Sequence, residues 1–131
     1  MDHGPIEPAY GYRVDYSGHS VVVSGDTKFS RNLINFAKHT DCLIHAAWMV
    51  GSRNPTPPAL RSIASAEDAA RVFSIVRPRL GVIYHYRDPD GLDDAMRSNY
   101  KGPVVIANDL TTIVIGETIT WNNGQSSGTV P

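Results

Sequence analysis

The sequence predicts an α/β fold, in which a mixed sheet carries helices on one face. Short apolar runs typical of buried strands alternate along the chain with segments whose apolar residues recur every three to four positions, as in amphipathic helices. The chain of 131 residues has the length of one domain, and its 41% of apolar residues can form a core. The predicted order is two strands, then helix, strand, helix, strand, helix and two final strands.

The first predicted element is a β-hairpin. Apolar and charged residues alternate over Tyr12–Tyr16, Ser17-Gly18 has the composition of a tight turn, and residues 20–24 return as a second strand. Three successive valines in that second strand show no polar alternation. This predicts a central strand that is covered on both faces.

The remaining elements follow from helix caps and apolar runs. Ser30 precedes an apolar face at helical spacing, and Ser65 begins a second helix that Pro78 ends. A short third helix follows the Asp-Pro-Asp-Gly turn. Further strands are predicted at residues 42–47, 80–84, 104–107 and 112–115. Residues 1–121 form the predicted domain, and the polar residues 122–131 are expected to be a flexible tail.

Composition excludes several classes of function. The net charge is −1 and the basic residues are scattered, so no signal for nucleic-acid binding is present. No apolar run approaches the ~20 residues that span a bilayer, which predicts a cytoplasmic protein without a membrane partner. The single cysteine, Cys42, lies inside an apolar run and is expected to be a buried structural thiol.

Polar side chains follow several predicted strands. Asp26 follows the second strand, His45 ends the third and His85 ends the fourth, while His3 precedes the first. Ligands of open α/β sheets gather beyond the carboxyl ends of strands, and imidazole with carboxylate suits zinc or a similar divalent metal. A histidine at a strand end is also an ordinary polar terminus, and an Asp in Ser-Gly-Asp-Thr can cap a turn. Placement alone leaves both interpretations open.

The order of these motifs resembles the metallo-β-lactamase-fold hydrolases, in the branch with ribonuclease Z-like and arylsulfatase-like members. The resemblance is carried by DHGPIEPAYGYRVDYSGHSVVVSGDTKFSRNLINFAKHTDCLIH, by a later strand that ends in His85, and by GPVVIANDLTTIVIG near the end. It implies one half of an αββα sandwich. It also implies that His3 belongs to a first metal ion, that Asp26 bridges two, and that His85 binds the second.

The resemblance further implies hydrolysis of a phosphoryl, sulfuryl or acyl centre. Two metal ions share Asp26 and a water that becomes hydroxide, and His45 is placed to donate a proton to the leaving group. The sequence departs from the family in three ways. It has no His-x-His-x-Asp-His cluster, Ala46 stands where a Glu usually follows the His, and SIASAED lacks the His common in relatives.

These departures predict a C-terminal half of the fold with two protein ligands per metal, whereas catalytic zinc normally has three. Zinc binding is therefore expected to be weak or absent in this chain alone, and enzymatic activity stays open. Three hypotheses remain. The chain is a hydrolase domain that is active only when joined to an N-terminal half, an inactive oligomeric remnant, or an unrelated α/β binding module with structural histidines.

The predicted layers also suggest a partner. Helices are expected to cover only one face of the sheet, and no other predicted element is long enough to cover the second. We therefore expect a homo-oligomer through the uncovered sheet face, or a separate chain that supplies an N-terminal half.

Overall fold

The chain forms the predicted mixed sheet, which has five strands; the predicted strand at residues 112–115 belongs to a second sheet. The computed structural model describes all residues, Met1–Pro131. The strands lie in the order β1-β2-β3-β4-β5; β1 is antiparallel to β2, and the other neighbours are parallel. Their bounds are β1 Tyr12–Tyr16, β2 His19–Val23, β3 Cys42–Ala46, β4 Leu80–Tyr84 and β5 Val104–Ile106.

Three helices pack on one face of this sheet, as the pattern predicted. They are α1 Arg31–Phe36, α2 Ala66–Val76 and α3 Leu92–Asn99. Ser30 caps α1 by accepting the Leu33 N–H, and Ser65 and Asp68 form a reciprocal capping box at α2. Phe73 on α2 is the largest fully buried side chain, and it belongs to the core that joins the helices to the sheet.

The second face of the sheet is partly covered by a small antiparallel sheet of β6 Thr112–Ile115, β7 Ile119–Asn122 and β8 Ser127–Val130. Fully buried Ile119 packs there with four residues of the large sheet: Cys42, Leu80, Val82 and Val105. We expected nothing to cover this face. That expectation was wrong for the area over β3 to β5. The small sheet is too short to form a stable layer alone, but it packs against the apolar surface that the large sheet provides.

The end of the chain differs from the flexible tail we expected, since residues 127–130 form β8. The turn before it is closed by Asn123, whose side-chain oxygen accepts the N–H groups of Gln125 and Ser126. Arg79 anchors the small sheet by donating hydrogen bonds to the carbonyl oxygens of Gly116, Glu117 and Pro131. These contacts order a segment whose own composition is polar.

The β1 side of the second face stays uncovered. Tyr12, Val14 and Tyr16 on β1 are 66%, 57% and 82% exposed, respectively. A shallow groove of about 370 Å³ runs between the side chains of Val14 and Tyr16 on β1 and Ile115 of β6. The small sheet therefore covers the central strands and leaves the β1 edge apolar and open.

Candidate functional site

Two strands deliver side chains to one rim of the large sheet. Asp26 lies just beyond β2 and His85 just beyond the parallel strand β4. Gly25 makes the turn before Asp26 at φ +63°, where a Cβ would overlap the carbonyl oxygen of Tyr10. Only glycine fits this turn, and so the sequence Ser-Gly-Asp directs the carboxylate to the rim.

His3 reaches the same rim from the N-terminal segment. The Thr27 hydroxyl both accepts the Asp2 N–H (3.1 Å) and donates to the Asp2 carbonyl (3.0 Å), which ties this segment to the residue after Asp26. The His3 Nδ1 lies 2.8 Å from the carbonyl oxygen of Ser62. Because a carbonyl can only accept, Nδ1 carries the proton of this bond.

The Asp26 carboxylate lies between the two imidazoles. Its Oδ2 is 3.7 Å from His3 Nε2 and its Oδ1 is 3.4 Å from His85 Nε2. The side chain of His3 is 11% exposed, whereas those of Asp26 and His85 are 43% and 42% exposed. The structure thus brings together the three residues predicted as metal ligands, with one carboxylate oxygen facing each histidine.

The donor atoms fit metal ions in pairs. Two ligands bound to a tetrahedral zinc at about 2.0–2.1 Å lie roughly 3.4 Å apart, close to both measured separations. With Nδ1 of a neutral His3 protonated, Nε2 and the Asp26 oxygen are two acceptors that face each other. A divalent cation between these two acceptors would be coordinated by both.

No group of three or more His, Cys, Asp or Glu side chains in the chain is arranged to hold a metal ion. Asp26 gives each histidine one partner oxygen, and each pair stops at two donors. Each histidine and the Asp26 oxygen that faces it therefore match two ligands of one metal site, both in donor type and in spacing.

His45 lies in the core below the rim. Its ring is fully buried and contacts Phe73 edge-on at 6.2 Å, and Nδ1 lies 2.6 Å from the Ala46 carbonyl oxygen. Nε2 has no hydrogen-bond partner. Burial lowers the pKa of His45 to about 4, so the ring is neutral near pH 7. No hydrogen bond or ion pair joins it to the three rim residues, and its role as proton donor stays a prediction.

Sequence reasoning missed the aromatic neighbours of the rim. The Trp48 ring lies 5.6 Å from the His85 ring, and the Tyr84 ring lies 6.1 Å from it. Trp48 also lines a small cavity of about 150 Å³ with Arg61 and Ser62, the residue that holds His3. Both aromatic residues lie at strand ends: Tyr84 is the last residue of β4, and Trp48 lies two residues beyond the end of β3. That position was the available signal.

No helix in the structure has the length and apolar character needed to cross a lipid bilayer.

Comparisons with known proteins agree on the fold. The chain is 32% identical to ribonuclease Z of Myxococcus xanthus over 101 residues, which cover 73% of this chain and 33% of that protein. It is 26% identical to ribonuclease Z of Mycobacterium bovis over 125 residues, covering 87% of this chain and 45% of the relative. No protein-family profile matches the chain.

The comparison with a solved structure also indicates this fold. The metallo-β-lactamase-fold protein YhfI from Bacillus subtilis superposes with a TM-score of 0.66 at 20% identity, over 76% of this chain and 41% of YhfI. This likeness shows the fold. The chain spans less than half the length of each of these three proteins.

Proposed function

Because the chain belongs to the metallo-β-lactamase-fold superfamily, we propose that it carries part of a dinuclear metal-dependent hydrolase site in which Asp26 is the shared ligand. The observation that carries the proposal is the Asp26 carboxylate, which presents one oxygen to His3 and the other to His85. His3 and His85 would each hold one divalent ion, zinc or a similar metal. When bound, such a pair supplies an activated water and charge stabilisation.

The chain's own residues prepare this chemistry. The Ser62 carbonyl fixes the His3 ring and keeps the proton on Nδ1, so Nε2 presents a lone pair at the rim. Trp48 packs beside His85 and limits the positions of its more exposed ring. Asp26 supplies the negative charge that both ligand pairs share, and its substitution would remove a donor from each.

The ligand count sets the expected activity. Each ion would receive two donors from this chain, whereas a catalytic zinc normally has three protein ligands. We therefore propose that these 131 residues alone bind metal weakly and have little or no hydrolase activity. Further ligands from another polypeptide segment would complete the site.

Phosphodiesters are the first substrate class to test, because the relatives are ribonucleases by name. A second candidate function is an inactive binding or oligomeric domain with structural histidines. The lack of any three-residue ligand group favours it.

Metal content and hydrolysis test the proposal together. The purified chain is equilibrated with zinc, dialysed and analysed for metal, and bis(p-nitrophenyl) phosphate serves as the phosphodiester. We expect substoichiometric zinc that falls further in Asp26→Ala but not in the exposed control Asp109→Ala. Equal zinc in both variants would contradict a role for Asp26. Two tightly held ions per chain would show that the chain's own residues complete the site.

A further inference from the structure

We propose that β1 is a self-association edge, on which two copies of the chain pair antiparallel about Val14 and join their five-stranded sheets. The inference does not depend on the metal site. It rests on the free hydrogen-bonding edge of β1, on the charges along one face of the strand, and on the apolar side chains along the other.

The outer edge of β1 has free main-chain groups. The register pairs Tyr16 with His19 across a two-residue turn, and Ser17 and Gly18 both have positive φ. In such a hairpin the pair next to the turn exchanges hydrogen bonds, and alternate pairs do so along the ladder. Tyr12, Val14 and Tyr16 therefore bond to β2. The N–H and C=O groups of the residues between them point away from the sheet.

Those outward groups belong to Arg13 and Asp15. Ser20, which lies opposite Asp15, confirms that this pair is not hydrogen-bonded within the hairpin. Its N–H donates to the Asp41 carboxylate and its C=O accepts the Asp41 N–H, both on the β3 side. A second β1 strand placed antiparallel about Val14 sets Arg13 of each copy opposite Asp15 of the other. This is the narrow, doubly hydrogen-bonded kind of pair, so the two-fold arrangement forms two such pairs.

The charges make this register self-complementary. Arg13 and Asp15 lie two residues apart on one face of the strand, and within one copy Arg13 Nε is 2.9 Å from Asp15 Oδ2. In the paired strands each Arg13 also meets the other copy's Asp15. Charged residues usually protect an edge strand by repulsion. Here, opposite signs at positions related by the two-fold axis attract instead.

The other face of β1 supplies apolar contacts. The same register sets Val14 opposite Val14 and Tyr12 opposite Tyr16 of the second copy. All three side chains are more than half exposed in the single chain, as given above. Aromatic and β-branched cross-strand pairs stabilise sheets, and exposed contiguous apolar surface is typical of interaction sites. A second copy matches the charges, the free edge and the apolar face at once.

A cysteine placed at the two-fold axis tests the register. Directly opposed residues of a non-hydrogen-bonded pair have Cα atoms about 4.5 Å apart, within the range that a disulfide spans. We expect Val14→Cys to form a covalent dimer under mild oxidation, at twice the chain mass of 14.3 kDa. Val114→Cys is the matched control, since Val114 is also a strand valine and is 66% exposed. The natural Cys42 is fully buried and does not interfere.

Charge exchange tests the proposal without cross-linking. Arg13→Asp and Asp15→Arg each place like charges opposite one another, and we expect each to weaken the dimer at least roughly tenfold in sedimentation velocity. An equimolar mixture of the two variants pairs every Asp with an Arg, and we expect it to dimerise as the unmodified chain does. Far-UV circular dichroism of each variant checks that it is folded.

The outcomes separate the possibilities. Dimers of both single variants at wild-type affinity, or a mixture no more dimeric than its components, would overturn the proposal. A monomeric wild-type chain at tens of micromolar would also overturn it. Cross-linking of Val114→Cys but not Val14→Cys would place the interface on the small sheet, and the β1 proposal would fail.

Discussion

The pH dependence of stability tests the buried state of His45. The fully buried imidazole has a pKa of about 4 in the folded chain, against an ordinary value of 6.5. Between these values the unfolded chain binds a proton that the folded chain does not. The free energy of unfolding therefore decreases as pH falls from about 6.5 to about 4, and this loss is complete only below the folded pKa.

The size of the effect follows from the shift. A displacement from 6.5 to about 4 corresponds to roughly 3 kcal/mol in total. Of this, about 2 kcal/mol should be lost between pH 7.5 and pH 5. Asp41 and Asp88, whose pKa values are lowered by hydrogen bonds and neighbouring arginines, lose their contributions only at lower pH. Comparison with a His45 variant then separates the contribution of His45 from that of the other four histidines.

Urea unfolding at the two pH values, at one fixed chain concentration, measures this difference. His45→Asn keeps a donor for the Ala46 carbonyl but cannot be protonated in this range, so its stability should change little between pH 7.5 and pH 5. The control His39→Asn alters an exposed histidine at φ +60°, a conformation that asparagine tolerates, and should retain the wild-type decrease. An equal decrease in His45→Asn and wild type would refute the reasoning.

Three further substitutions test the packing of the fold. Ser65→Ala removes the N-cap of α2 and should lower the free energy of unfolding by about 1 kcal/mol in urea titrations, with Ser65→Asp largely retaining it. Gly81→Ala places a Cβ 2.6 Å from the Phe73 ring and should destabilise by about 1–3 kcal/mol; an unchanged midpoint would mean that the ring has room to shift. Arg79→Met removes the ion pair with Asp41 and the bonds to three carbonyls, so amide hydrogen exchange should rise first in β6 to β8. Equal exchange in wild type and variant would contradict that anchoring role.

The large sheet and its helices could be predicted because their signals are local. Ser30 and Ser65 cap their helices through bonds to residues three positions away. The valine run predicted a strand covered on both faces, but only Val22 of the three valines is buried, and Val21 and Val23 on the other face are half-buried. In the small sheet, the strand predicted at residues 112–115 is β6, whereas β8 had no comparable signal. The polar residues of β8 are ordered by Asn123 and by Arg79, and the second of these is far away in sequence.

The rim could be predicted in part. Parallel strands end at the same edge of a sheet, and this rule brings Asp26 and His85 together. His3 came from the family resemblance, since no strand delivers it. The burial of His45 could not be read from the sequence. β3 is apolar on both faces, and alternation alone does not reveal which face receives the helices.

The metal rim and the self-association edge share one hairpin, yet they should be separable. The turn that directs Asp26 is held by the fit of Gly25 under Tyr10 and by the bonds between Thr27 and Asp2, none of which uses the outer edge of β1. Val14→Lys places two ammonium groups opposite each other at the two-fold axis, so it should abolish the dimer and leave zinc content unchanged. Asp26→Ala should do the reverse. A fall in zinc in Val14→Lys as large as that in Asp26→Ala would show that pairing at β1, rather than these local contacts, holds the carboxylate between the two histidines.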